Sequence, residues 1–167
     1  MTVTDLERLY DYGYWANRKL FEAVSQLTPE KFTRTVGGSY GSVRNTLVHT
    51  LSAEWGWLDR CGGPARGPAL KADDFPTVAS LVEKWAVLEG HARAFLATLH
   101  DDDLSRVVEF NLGSLRGGEL GALLQHGANH GVHHRGQIAL LLRMLGRAPG
   151  NFDILFYDAE KRAAVAT

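Results

Sequence analysis

Four of the seven histidines of this chain, His126, His130, His133 and His134, lie close together in the segment HGANHGVHHRGQ. Neutral imidazole is a common ligand for divalent transition metals, which take nitrogen donors at about 2.0–2.1 Å in zinc-type sites. Residues four apart on a helix differ by about 40° and sit one turn apart, so His130 and His134 would project side by side and could share one ion. His126 stands one turn before His130, and His133 follows it by three residues, so either could also belong to a ligand pair. The spacing defines a cluster and leaves its membership open.

A third donor must come from elsewhere in the chain. His49 is the natural candidate, because it lies among apolar residues in LVHTL, where an imidazole without a partner is costly to bury. Asn45 precedes it by one turn and Gln137 follows His134 by one turn, so either could hold an imidazole N–H or a metal-bound water. Glu54 lies five residues beyond His49, about 140° around a helix, and is not expected to ligate. His91 and His100 read as surface residues. Cys61, the only cysteine, rules out an intramolecular disulfide and a cysteine-based metal site, and it reads as an incidental thiol in a Gly/Pro-rich connection. No general base can be assigned.

Helices must position these groups. Apolar residues recur at helical spacing from Thr4 to Gln26, from a Ser42 cap to about Arg60, from Thr77 to about His100, and from Glu119 to Leu145. A short fifth helix is expected from Asp153 to the alanine-rich end. Tyr10, Tyr14, Trp15, Trp55, Trp57 and Trp85 fall on the periodic positions and read as core. The stretch Cys61 to Pro76 is dense in Gly and Pro and breaks helix. It is long enough to run the length of a helix, which favours an all-α four-helix bundle in up-down-down-up order with a long crossover between the second and third helices. Arg106 to Arg116 reads as a short hairpin or an ordered loop. The fourth helix carries Gly121, Gly127, Gly131 and Gly136, each costing roughly 1 kcal/mol relative to alanine. Close approach of another helix, or room for a metal, would offset that cost.

Composition narrows the function classes. A chain of 167 residues with a formal net charge of -1 fits one globular domain, residues 1–167, and has no dense basic run to track nucleic acid. No apolar stretch reaches the roughly 20 residues that span a bilayer, and the N-terminus lacks a secretory pattern, so a cytoplasmic protein without membrane or nucleic-acid partners is expected.

Three segments together resemble the DinB family of metalloproteins: YDYGYWANRKL in the first helix, SVRNTLVHTLSAEWGWL in the second, and HGANHGVHHRGQIALLLRMLG in the fourth. The tail NFDILFYD is similar to the family's ending as well. The resemblance places the three metal-binding histidines at His49, His130 and His134, with His126 and His133 as neighbours. It also makes Arg135, Gly136 and Gln137 part of the signature. It implies a helical bundle, frequent homodimers, and one divalent ion such as nickel, zinc or iron.

The expected function is a metal-dependent enzyme acting on a small molecule, such as a thiol, by hydrolysis or thiol transfer. The alternative is a non-catalytic metal-binding protein with a stress-response or structural role. Metal binding should weaken as pH falls through the ordinary imidazole range near ~6.5.

Overall fold

The computed structural model describes residues 1–165. They form six α-helices: α1 (Val3–Val24), α2 (Pro29–Thr33), α3 (Val43–Arg60), α4 (Val78–Leu96), α5 (Leu120–Met144) and α6 (Ile154–Val165). A two-stranded antiparallel sheet, β1 (Val107–Val108) with β2 (Gly118–Glu119), precedes α5.

Side-chain caps set the helix starts. Thr2 accepts from the Asp5 N–H while the Asp5 carboxylate accepts from the Thr2 N–H, so α1 begins at Val3, a residue earlier than periodicity suggests. Ser42 caps α3 through the Asn45 N–H, as expected, and Thr77 caps α4 through the Ser80 N–H. Thr28 with Pro29 at the first position starts α2, a single short helix that carries no periodic signal of its own. The third long helix ends at Leu96, short of His100, whose backbone N–H instead donates to Asp103 at the start of a 3-10 turn. The Arg106–Arg116 region contains a hairpin, closed by reciprocal backbone bonds between Leu112 and Leu115.

The four long helices pack in a ring. Both α1 and α3 touch both α4 and α5. Leu6, Leu20, Leu47, Leu51, Leu58, Leu81, Leu88 and Leu124 are all buried in the shared core with Tyr10, Tyr14, Trp55, Trp57 and Trp85, and Trp15 is buried in a second cluster with Tyr12 and Tyr157. Burial of this apolar surface is the main source of the bundle's stability. Between α1 and α4, Asp11 meets Arg93 and Arg18 meets Glu89. Between α1 and α5, the Tyr10 hydroxyl donates to the Leu124 carbonyl and Arg135 to Asn17. Trp55 of α3 stands edge-on to His91 of α4.

The connection from α3 to α4 is better anchored than its composition suggests. Cys61 is buried at the C-terminus of α3, and burial pushes its thiol up to about 11, which leaves it inert as a nucleophile. Gly62 adopts a positive φ of 89°, so that the Gly63 N–H returns to the Leu58 carbonyl and closes the helix. Further on, Phe75 is buried and Asp73 pairs with Arg44. Among the described residues, no helix is long and apolar enough to cross a membrane.

Candidate metal centre

His49 on α3 and His130 and His134 on α5 converge in the groove between those helices. One ring nitrogen from each lies within 4.8 Å of the others. The Nε2 atoms of His130 and His134 are 3.1 Å apart. Two nitrogens bound to one tetrahedral ion at 2.0–2.1 Å would stand about 3.3–3.4 Å apart, so this pair is close to the spacing an ion requires. The ring centroids of His49 lie 4.6 Å from those of His134 and 5.3 Å from those of His130. His134 is buried, and the other two are half-buried.

The protonation state also suits a cation. Gln137 Oε1 lies 2.8 Å from His134 Nδ1, and a carbonyl oxygen can only accept, so Nδ1 carries the proton and Nε2 offers its lone pair to the cluster. Desolvation lowers the pKa of all three imidazoles, and for His130, with its imidazole neighbours adding to the effect, it falls to about 4. All three are therefore neutral at neutral pH, the form that binds metal. The donor set fits a divalent transition ion.

The remaining candidates separate clearly. His126 is exposed, with its ring against the edge of Trp57 at 4.7 Å, and lies outside the converging trio. His133 is exposed and accepts at Nε2 from the Gln137 amide at 3.0 Å. Gln137 thus bridges a clustered and a non-clustered histidine. Asn45 is half-buried, its Oδ1 has no hydrogen-bond partner, and the structure does not bring it onto an imidazole. His91 and His100 are exposed on the far elements, as their sequence positions imply.

One residue at the site carries no sequence signal. Tyr40, in the loop between α2 and α3, places its hydroxyl 2.8 Å from His49 Nε2 and stacks on the His49 ring at 4.0 Å and 18°. It also meets His134 edge-on at 5.6 Å. Periodicity cannot find a loop residue, and a tyrosine among glycines in GGSYGS reads as a turn.

A second polar group lies on the adjacent face of α5. Arg135 is buried and donates to Asn17 Oδ1 at 3.1 Å, with its guanidinium over the Tyr12 ring. Glu54 accepts from the Tyr14 hydroxyl at 2.8 Å, and desolvation raises its carboxyl to about 7. As expected, Glu54 is no member of the trio. Two of the α5 glycines belong to this face: a Cβ at Gly127 would come 3.0 Å from the Tyr10 hydroxyl, and one at Gly131 would come 3.1 Å from Arg135 Nη1. Their helix cost is offset by close α1–α5 packing and by room for Arg135, and not by room for an ion.

The comparisons with known proteins agree with this architecture. The chain is 26% identical over 157 residues to Protein DinB of Bacillus subtilis (strain 168), covering 90% of this chain and 91% of that protein. The crystal structure of a DinB-like protein from Bacillus cereus ATCC 10987 superposes with a TM-score of 0.72 at 18% identity, covering 90% of this chain and 97% of that one. A conserved protein from Enterococcus faecalis superposes with a TM-score of 0.61 at 17% identity, covering 86% and 96% of the two chains. These likenesses speak to the fold. The family model described as DinB family matches residues 1–163, nearly the whole sequence, and the chain therefore belongs to the DinB family.

Proposed function

We propose that this chain is a metal-dependent enzyme that holds one divalent ion, such as nickel, zinc or iron, through His49, His130 and His134. Its reaction is hydrolysis or thiol transfer on a small molecule. The observation that carries this reading is the convergence of three neutral imidazole nitrogens within 4.8 Å from two different helices. A divalent ion on a neutral donor set keeps its full charge, and when bound it supplies Lewis-acid chemistry that lowers the pKa of a water or a thiol.

The chain's own residues do the rest. Gln137 fixes the tautomer and tilt of His134. The α3–α5 contact, with its buried core, sets the distance between His49 and the helical pair. His126 and His133 neighbour His130 and His134 at ring-centroid distances of 5.9 and 4.9 Å and, with Asn45, are proposed to contact the substrate or bound solvent.

The same packing supports two further readings. Tyr10 meets Leu124 while Asn17 meets Arg135, so α1 and α5 run the same way, whereas Asp11 with Arg93 and Arg18 with Glu89 set α4 against α1. His49 with His134 and Trp57 with His126 set α3 against α5, and together these pairs support an up-down-down-up course. A homodimer is supported by an exposed apolar stripe on α5, formed by Val132, Leu140 and Met144 at four- and eight-residue intervals with Gly136 between them.

The test is to load the protein with zinc, nickel or iron(II) in turn and screen thiol cofactors with electrophiles, and ester and amide substrates. Turnover that is lost on chelation is the expected result. Full metal loading without turnover on any of these substrates would favour a non-catalytic metal-binding role.

A further inference from the structure

We propose that Tyr40 is the substrate-orienting residue of the three-histidine centre, its hydroxyl donating a hydrogen bond to the polar atom of the small molecule that binds there. This rests on the metal reading above.

Position comes first. Tyr40 is carried by a loop whose backbone is closed on itself, with the Val36 N–H donating to the Gly41 carbonyl at 2.8 Å and the Gly37 N–H to the same carbonyl at 3.3 Å. Gly37, Gly38 and Gly41 take positive φ values of 127°, 75° and 81°, conformations that side chains disfavour, so the turn that presents Tyr40 depends on glycine at these points. The phenol ring is then fixed from two sides, by stacking on His49 and by the edge contact with His134. Two of the three converging imidazoles therefore hold the ring in place.

The hydroxyl is the part left to act. It shares a hydrogen bond with His49 Nε2, an atom that cannot both take a proton from Tyr40 and give its lone pair to a cation. With Nε2 as the nitrogen that would take the ion, the phenol O–H would lose its partner while the ring keeps its edge contact with His134. It then stands beside the centre on the loop side as an unpaired donor in a half-buried position. A polar atom of a ligand arriving there, most strongly an anionic oxygen, sulfur or nitrogen, satisfies it. The phenol acts as a neutral donor and gives up no proton.

The test uses the full-length protein loaded with cobalt(II), whose visible absorption reports both metal uptake and the binding of azide as a small anionic probe. Tyr40→Phe removes only the hydroxyl, and circular dichroism checks that the helices are retained. The expected result is a cobalt Kd that is unchanged or lower, since the bond competing for His49 is gone, with an azide Kd raised about 10-fold or more, the effect of losing one hydrogen bond to a charged acceptor. An unchanged azide Kd overturns the proposal while leaving the metal reading intact. A Tyr40→Phe cobalt Kd that falls while the azide Kd stays unchanged shows a residue that only competes for His49, and a cobalt Kd that rises sharply shows a metal ligand. Either outcome overturns the proposal. Failure of the wild-type protein to take up cobalt overturns the metal reading and this one with it. A crystal structure of the wild-type cobalt–azide complex gives an answer that does not depend on the variant. The Tyr40 oxygen should lie within about 3.2 Å of azide, and a hydroxyl still on His49 or turned to solvent contradicts the proposal.

Discussion

Gln137 and His134 are joined by a 2.8 Å hydrogen bond from the ring Nδ1–H to the carboxamide oxygen, and this bond turns the His134 Nε2 lone pair toward His130 and His49. Gln137→Leu should therefore lower metal affinity by about 10–100-fold without unfolding the bundle, the usual effect of removing the partner that orients a metal-binding imidazole. Gln137→Glu, which keeps the acceptor, should lose much less. Competition against a chromophoric chelator measures both, and His133→Ala should leave the affinity near wild type.

The pH dependence of stability should carry the mark of Glu54. Its carboxyl is raised from 4.5 to about 7, so between those values the folded chain holds a proton that the unfolded chain has released. Stability from this group is full below about pH 4.5, falls as pH rises toward 7, and does not fall further above that. The loss is about 2 kcal/mol once the partial exposure of Glu54 is discounted. Glu54→Gln should flatten this part of the curve in urea titrations of the metal-free protein. Desolvation lowers the three clustered imidazoles in the opposite sense, so they destabilise the fold as pH falls below ~6.5, and the variant separates the two effects.

Two glycines of α5 should respond to alanine in opposite directions. Gly136 has nothing within 4 Å of an added Cβ and sits inside a helix, so Gly136→Ala should stabilise the chain by up to about 1 kcal/mol. At Gly127 the new methyl would press on the Tyr10 hydroxyl, which cannot retreat without losing its bond to the Leu124 carbonyl. Gly127→Ala should cost about 1–2 kcal/mol. Thermal midpoints read both.

The long helices, the cap at Ser42 and the aromatic core could be read from periodicity and punctuation, because each depends on local pattern, whereas the same signals leave Arg106 to Arg116 open between a hairpin and an ordered loop. The pairing of Gln137 with His134 could be anticipated for the same reason, being a one-turn relationship on a single helix. Arg135 could not: a charged residue in a helix reads as surface, and only the approach of Asn17 and Gly13 on another helix shows that it is buried. Membership of the histidine cluster was equally closed to spacing. His126, His130 and His134 share one stripe of α5, and what separates them is how far along that stripe His49 reaches from α3. Tyr40 belongs to a glycine-supported loop with no period at all.

Self-association should depend on the exposed stripe of α5. Light scattering at micromolar concentration should give twice the 18.4 kDa chain mass, and Leu140→Asp with Met144→Asp should reduce it to the monomer. A wild-type monomer would remove the dimer from the account.

Metal content tests the central claim most directly. The protein purified without added metal, and then loaded with one equivalent of zinc, should retain about one ion per chain by elemental analysis. His49→Ala, His130→Ala or His134→Ala should each remove most of it, because each takes away one of three converging donors. His91→Ala, His100→Ala and His133→Ala should leave the content unchanged. His126 is the sharpest control, since it shares the α5 stripe yet stands against Trp57. Full metal in His134→Ala together with loss in His126→Ala would contradict the account.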